Sequence, residues 1–304
     1  MRVGVTGASG LVGRSLVAAL RERGDTVITF VRPATTNHEG EVVRWDPERA
    51  LVDDEDLQRV SGFDAVVHLA GAGIGDRRWS PSRKAGILSS RVQSTSLLVR
   101  ALGELPNGVK CLASASAIGW YGSRANERLD ESSSKGDGFL SDVCAAWENA
   151  ASAHQDHARV AYLRTGIVVS TQGGVMKAQL PLFRLGLGGR YSSGGQWMSP
   201  ISLVDEVRAI LWVVDHDVTG PVNLTAPSPL TNKAFTRQLA LELHRPAIFA
   251  VPRSALRVVL GTEMANELVL SSQRVVPTVL IDSGFTFQHP DAATTLHWAI
   301  SSRK

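Results

Sequence analysis

Short apolar runs alternate with amphipathic stretches along the first half of the chain. Residues 1–6 form a brief apolar run, and a glycine-rich stretch at 7–13 follows it directly. Leu11, Val12, Leu16, Ala19 and Leu20 then recur at the spacing of one helix face, and Gly24 supplies a stop. Thr26–Val31 is apolar and β-branched, which predicts a second strand. Residues 65–70 are almost continuously apolar, as a parallel strand buried on both faces must be. A long helical pattern covers roughly 82–105. Two further strands are expected at 109–113 and 159–163, separated by a polar loop and a helix at 140–153. Strand and helix thus alternate to about residue 165, the pattern of a parallel sheet with right-handed crossovers. The expected fold class is α/β, a Rossmann-type doubly wound parallel sheet.

The texture then changes. Residues 173–195 are rich in glycine and poor in strand signals, which predicts a loop region lying over a ligand. Amphipathic helices are expected at 203–214 and 233–243, with two shorter ones at 255–260 and 263–270. The reading is therefore a Rossmann domain over 1–172 and a smaller, mainly helical, substrate-side domain over 173–304, interleaved with the first.

Composition narrows the function classes. The chain has 304 residues, 43% hydrophobic and 20% charged, with a net charge of only +3. That is an ordinary globular balance, with no basic run to suggest a nucleic-acid partner. No apolar run approaches the ~18 residues of a membrane span, so no membrane partner is expected. Cys111 and Cys144 fit neither a metal spacing nor a disulfide framework, which predicts no metal site and a reducing, cytoplasmic location.

The chemistry is concentrated in the first turn. Gly7, Gly10 and Gly13 stand after a strand and open a helix. Gly7 allows the tight turn, Gly10 lets backbone approach a pyrophosphate, and Gly13 lets the helix pack close to the sheet. A helix N-terminus adds free N–H groups and the positive end of a dipole. At the end of the second strand, where NAD-binding proteins place a carboxylate on the ribose, this chain has Arg32. A guanidinium pairs with a 2′-phosphate through its planar fork, so NADP(H) is the expected cofactor.

Several motifs resemble a known family. The Thr-Gly-x-x-Gly-x-x-Gly start, His68-Leu69-Ala70-Gly71 and Arg164-Thr165-Gly166 resemble the extended short-chain dehydrogenases/reductases, the nucleotide-sugar epimerase group. More narrowly, AGAGIGDRRWS (70–80), SASAIGWYG (114–122), FRLGLGGRYSSGGQWMS (183–199) and ELVLSSQRVVP (267–277) resemble the atypical SDR39U1-like NAD-dependent epimerase/dehydratase family. The last motif is similar to the C-terminal domain of unknown function in those proteins. The resemblance implies pyrophosphate contacts at Gly7, Ser9, Gly10, Leu11 and Val12, a 2′-phosphate contact at Arg32, and Leu69, Ala70 and Gly71 beside the adenosine and ribose. It places Arg91, and with it Arg164, in the cofactor set. Arg91 stands where relatives often have Asn, as a cofactor phosphate contact or as a solvent-facing helix residue. Extended relatives often pair through the long helices, which implies a homodimer, although no sequence pattern supports one.

The usual catalytic pair of such dehydrogenases is Tyr with Lys four residues on, and no Tyr-x-x-x-Lys exists here. Tyr121, Tyr162 and Tyr191 are followed at that distance by Ala125, Gly166 and Gly195. Counted from Trp147-Glu148, the pair falls near Leu140 and Cys144. Ser116, with Ser114 second, remains for a substrate carbonyl. Tyr121 is the best remaining proton donor, or else a tyrosine packed beneath the loop. Cys144 reads as a small apolar helix residue rather than a nucleophile, and Asp205 as either the family's acidic residue or a helix cap. Arg77, Arg78, Trp79, Gln196 and Trp197 either clamp a small substrate, anionic or sugar-bearing, or join the two domains. Three functions fit: an NADP(H)-dependent oxidoreductase or epimerase-like enzyme with a rearranged proton donor, a non-catalytic NADP(H)-binding or redox-sensing protein, and a ligand-free scaffold.

Overall fold

The computed structural model describes residues 1–36, 39–60 and 62–301. Eight strands build one sheet: β1 (Arg2–Thr6), β2 (Thr26–Val31), β3 (Glu41–Asp46), β4 (Leu51–Val52), β5 (Phe63–His68), β6 (Val109–Ala117), β7 (Arg159–Thr165) and β8 (Gly220–Leu224). Their order is β8-β7-β6-β5-β1-β2-β3-β4, parallel throughout except for the β3–β4 edge pair. The winding reverses between β1 and β5, the place where open α/β sheets form a ligand crevice at the carboxyl ends of their strands.

Both faces are covered. Helices α1 (Leu11–Glu22) and α6 (Leu203–Asp215) bury Leu16, Leu20, Ile210 and Val213 against Val3, Val5, Val67 and Ala113. On the other face lie α2 (Asp54–Val60), α3 (Pro81–Gly103) and α4 (Phe139–Ser152), closing over Ile28, Phe30, Val66 and Leu112. The helix ends follow from local chemistry. Gly24 with φ +86° lies just beyond α1, while Ser80 accepts from the Arg83 N–H ahead of Pro81 to start α3.

Five elements depart from the sequence pattern. The strands β3 and β4 and the helix α2 have no counterpart in it; Glu41–Asp46 buries Val42, Val43 and Trp45 without clear alternation. Strand β8 begins Gly-Pro, which reads as a turn, and Pro221 is tolerated because β8 is an edge strand. The expected loop after residue 173 contains a helix, α5 (Gly174–Arg184), whose Met176, Leu180 and Phe183 are buried. Their helical spacing was readable, but the surrounding glycines masked it.

The parts on either side of residue 172 share elements. Both α6 and β8 belong to the Rossmann core, so the chain leaves the sheet and returns. A second core joins α5 and α7 (Asn232–Glu242) to the terminal helix Ala292–Ser301 through Phe183, Phe235, Leu239 and Leu296. A short pairing of Arg274–Val275 with Arg128–Leu129 fastens this part to the loop after β6.

One buried acid sits inside the Rossmann core. Glu206 in the first turn of α6 accepts from the Thr165 hydroxyl at 2.8 Å, and its second oxygen is buried without a partner. Burial pushes its pKa up to about 8. The folded protein therefore keeps a proton that the unfolded chain releases near the ordinary carboxylate value, and folding stability falls as pH rises from about 4.5 through 8. Glu206→Gln is expected to flatten this dependence. Urea unfolding at pH 5 and pH 8.5 checks it: the wild-type loss between the two should exceed that of the variant by an amount on the order of a few kcal/mol.

Candidate functional site

The crevice is built around the turn from β1 to α1. Gly7 has φ +66°, and a Cβ there would lie 2.8 Å from the Leu69 carbonyl. A Cβ on Gly13 would collide with the Gly7 carbonyl oxygen. The turn is thus pressed against the loop after β5 with room for backbone only. Gly10 is the N-cap of α1; it offers no capping side chain, and the first turn carries no acidic residue. The N–H groups at Leu11 and Val12 and the dipole end present an uncompensated positive potential to the crevice.

A polar spine fixes the loop opposite. Thr6 Oγ1 accepts from the Leu69 and Ala70 N–H groups, each at 3.1 Å, and donates to His68 Nδ1 at 2.8 Å. His68 Nε2 donates to Thr95 at 3.0 Å, and Thr95 donates to the Arg91 carbonyl at 2.7 Å. His68 is fully buried and burial drives its pKa down to about 3, so it stays neutral; with the Thr95 proton spent on the Arg91 carbonyl, Nε2 is the ring's donor and Nδ1 its acceptor. Leu69, Ala70 and Gly71 are thereby held across from Gly7.

Arg32 stands just past β2, half-exposed, meeting Asp46 at 3.3 Å and Glu48 at 3.2 Å. Exposed pairs of this kind are worth about 0–1 kcal/mol, so the guanidinium is free to exchange them for a phosphate. Arg91 lies on α3 behind Gly71. Its Nη1 donates to the carbonyls of Ala72 and Ile87, both at 3.0 Å, and its guanidinium faces the Trp147 ring at 4.9 Å. It meets no carboxylate among the described residues. Burial holds its pKa below the ordinary arginine value. The solvent-facing alternative for Arg91 is excluded by this packing.

Two expected site residues are corrected, and a third is restricted. Tyr121 is wholly buried. Its hydroxyl donates to Asn223 at 2.8 Å and accepts from Arg164 at 3.0 Å, and burial pushes the phenol up to about 12. It is a packed tyrosine and has no route to a substrate. Arg164 is turned into the protein, where Nε and Nη2 each bond Glu148 at 2.9 Å and the guanidinium stacks over Trp120 at 4.0 Å. With every nitrogen engaged it is no cofactor ligand. Ser116 donates to Glu148 at 2.7 Å, so its proton is committed and only its lone pairs remain. The hub of this network, Glu148, served the sequence reading only as a landmark, because nothing in the local pattern marks a buried carboxylate.

The C-terminal segment packs against α3 and α4. Helix α4 has no capping side chain of its own, and Glu267 supplies one, accepting from the N–H groups of Phe139 at 3.0 Å and Leu140 at 2.8 Å. Lys84 on α3 reaches Glu263 at 2.5 Å and the Phe139 ring at 4.6 Å. Trp79 packs edge-on against Phe139 at 5.0 Å, and Trp197 lies under Arg274 at 4.4 Å. Gln196 bonds the Val269 carbonyl at 3.2 Å. Trp79 thus packs within the Rossmann part and Gln196 and Trp197 within the C-terminal part, so the contacts between the parts here are those of Glu267 and Glu263, while Arg77 and Arg78 remain exposed in the loop. Asp205 is no helix cap: Ser202 caps α6, and the Asp205 carboxylate holds the Gln288 and His289 N–H groups at 2.9 and 2.7 Å.

Residues 3–225 match the NAD dependent epimerase/dehydratase family, and residues 251–299 match a domain of unknown function, DUF1731. The chain belongs to the NAD-dependent epimerase/dehydratase family. An epimerase family protein of Mycobacterium bovis is 42% identical over 299 residues, 98% of this chain and 97% of its own length. The bovine epimerase family protein SDR39U1 is 32% identical over 306 residues, 99% of this chain and all of its own. The crystal structure of human SDR39U1 with NADPH superposes with a TM-score of 0.89 at 30% identity, covering 99% of both chains. A UDP-N-acetylglucosamine 4-epimerase from Bacillus cereus superposes at 0.77 with 17% identity, which shows the shared fold alone.

Within this epimerase fold, Leu140 and Cys144 lie one turn apart at the start of α4. Neither transfers protons in the manner of a Tyr–Lys pair. Cys144 is buried, contacts the Ala117 carbonyl at 3.6 Å, and has its thiol pushed up to about 11 by burial. The Arg164–Glu148 pair beside it is structural. Breaking one partner leaves a buried uncompensated charge, so Glu148→Ala is expected to cost about 3–5 kcal/mol. The double change Glu148→Leu/Arg164→Met should recover most of that loss, as read by urea unfolding.

Proposed function

We propose that the protein binds NADP(H) in the β1/β5 crevice and serves as an oxidoreductase or epimerase-like enzyme on a small substrate, anionic or sugar-bearing. The observation that carries this reading is the uncapped glycine turn facing the crevice with Arg32 at the end of β2. The residues fit the cofactor: backbone at Gly7, Ser9, Gly10, Leu11, Val12 and Gly13 suits a pyrophosphate, and Arg32 suits a 2′-phosphate. The NADPH in the human relative's structure supports the same cofactor here. When bound, the nicotinamide supplies a hydride donor or acceptor.

This chain's own residues position rather than exchange protons. Leu69, Ala70 and Gly71 form one wall, kept rigid by Thr6 and His68. Arg91 places a cation beside Gly71 and Cys144, on the side of the crevice where the missing lysine would have stood. It is suited to a cofactor oxygen there. The proton that balances a hydride step then comes from solvent or from the substrate itself.

A second reading, a non-catalytic NADP(H)-binding or redox-sensing protein, is favoured by one observation: Leu140, Cys144 and the saturated Tyr121 leave no proton donor at the usual place. Calorimetric titration tests the shared part. NADPH is expected to bind more tightly than NADH, and Arg32→Ala to weaken NADPH by about 10–100-fold with NADH little changed. Equal loss for both nucleotides would contradict the role of Arg32. Substrate-dependent NADPH oxidation across a panel of carbonyl compounds and nucleotide sugars separates the readings: turnover supports the enzyme, and its absence the binding protein.

A further inference from the structure

Two loops at the far end of the second core expose an unusual amount of apolar surface. Leu185 and Leu187 follow α5, and Ile248 precedes, and Phe249 opens, a strand Phe249–Val251 that pairs in parallel with Gly189–Tyr191. Ile248 is 76% exposed, Leu185 72%, Leu187 55% and Phe249 48%. The loops run side by side: Phe249 is registered with Gly189, Arg245 Nε donates to the Arg184 carbonyl at 3.0 Å, and Gly186 lies against Pro246. Scattered exposed leucines are unremarkable, but four on adjoining loops make a contiguous patch of the kind that marks a contact surface.

The patch borders a groove of about 520 Å³ along the outer face of α7. Arg190, Lys233, Arg237 and Arg245 line it, and no carboxylate does so among the described residues. None of the four cations is paired with an acid among those residues. The sequence explains the one-sided charge. Between Asp156 and Asp205 there is no acidic residue, and between Asp217 and Glu263 there is only Glu242. Glu242 is turned to Gln238 and His297.

We propose that this face docks on an anionic lipid bilayer, with Leu185, Leu187, Ile248 and Phe249 entering the headgroup boundary and the groove cations meeting acidic headgroups. Exposed aliphatic and aromatic side chains on loop tips, backed by unpaired cations, supply the two contributions that surface binding needs, apolar burial and electrostatic attraction. A symmetric contact between two copies is disfavoured by the same charges, since it would set each cation cluster against its twin. The inference departs from the expectation of no membrane partner, which rested on the length of apolar runs and concerns spanning segments only. It is independent of the cofactor reading.

Vesicle co-sedimentation of the purified full chain tests it, with equal parts phosphatidylglycerol and phosphatidylcholine, and with phosphatidylcholine alone. Binding is expected to the mixed vesicles only, and to weaken as salt is raised. Ile248→Ser/Phe249→Ser should lower the partition at least tenfold, and Arg237→Ala/Arg245→Ala about fivefold for each cation removed. Unchanged circular dichroism and melting temperature in both variants exclude loss of fold. Failure of wild type to sediment with the mixed vesicles at low salt would overturn the proposal. So would binding that both variants retain. A lipid-free increase of mass with concentration in light scattering, abolished by Ile248→Ser/Phe249→Ser, would assign the patch to self-association and overturn it as well.

Discussion

The closeness of the Gly7–Gly13 turn to the loop after β5 is the constraint on which the rest of the crevice depends. Only hydrogen fits at Gly7 and Gly13, so α1 starts hard against the sheet with its free N–H groups directed outward. The opposing wall cannot drift, because the Thr6 hydroxyl holds two of its N–H groups and is itself oriented by a histidine that burial keeps neutral. A protonated His68 would turn its Nδ1 into a donor facing Thr6, and the spine would lose its direction. The depressed pKa is therefore part of the architecture of the site and has no need of a catalytic role.

A second buried network does the corresponding work at the other side of the crevice. Arg164 and Glu148, with Ser116, Tyr121 and Asn223, fill the space between β6, β7 and α4 with satisfied hydrogen bonds. Residues that chemistry alone nominated as proton donors are consumed here in holding strands and helix together. The C-terminal segment is bound into the same region, through Glu267 on the end of α4 and Asn223 on the Val276 carbonyl. The small C-terminal domain is thus tied to the Rossmann part at α4 and β8, and its removal would leave α4 uncapped.

Much of this was legible in the sequence where local physics is decisive. The glycine spacing, the strand before it and the helix after it fixed the crevice, and the apolar runs located β1, β2, β5, β6 and β7. Legibility failed in two physical situations. Elements whose signal is diluted, such as β8 beginning Gly-Pro or α5 among glycines, read as loop because tertiary packing rather than propensity forms them. Buried polar side chains failed for a different reason. Arg164, Tyr121 and Ser116 look reactive in a string of letters, and only their long-range partners Glu148 and Asn223 show that their hydrogen-bonding capacity is spent. The absence of Tyr-x-x-x-Lys, by contrast, was visible in the sequence and stands unaltered by the fold.

The central claim is that this chain keeps a cofactor crevice shaped by backbone and Arg32 while lacking the usual proton-transfer pair. A crystal structure of the protein grown with NADPH addresses it most directly. The account predicts the pyrophosphate on the N–H groups of Leu11 and Val12 and the 2′-phosphate on Arg32 in place of Asp46 and Glu48. It further predicts the nicotinamide bordered by Leu140 and Cys144, with Tyr121 still bonded to Asn223. A nucleotide bound elsewhere, or Tyr121 released from Asn223 and within hydrogen-bonding reach of the nicotinamide, would contradict it.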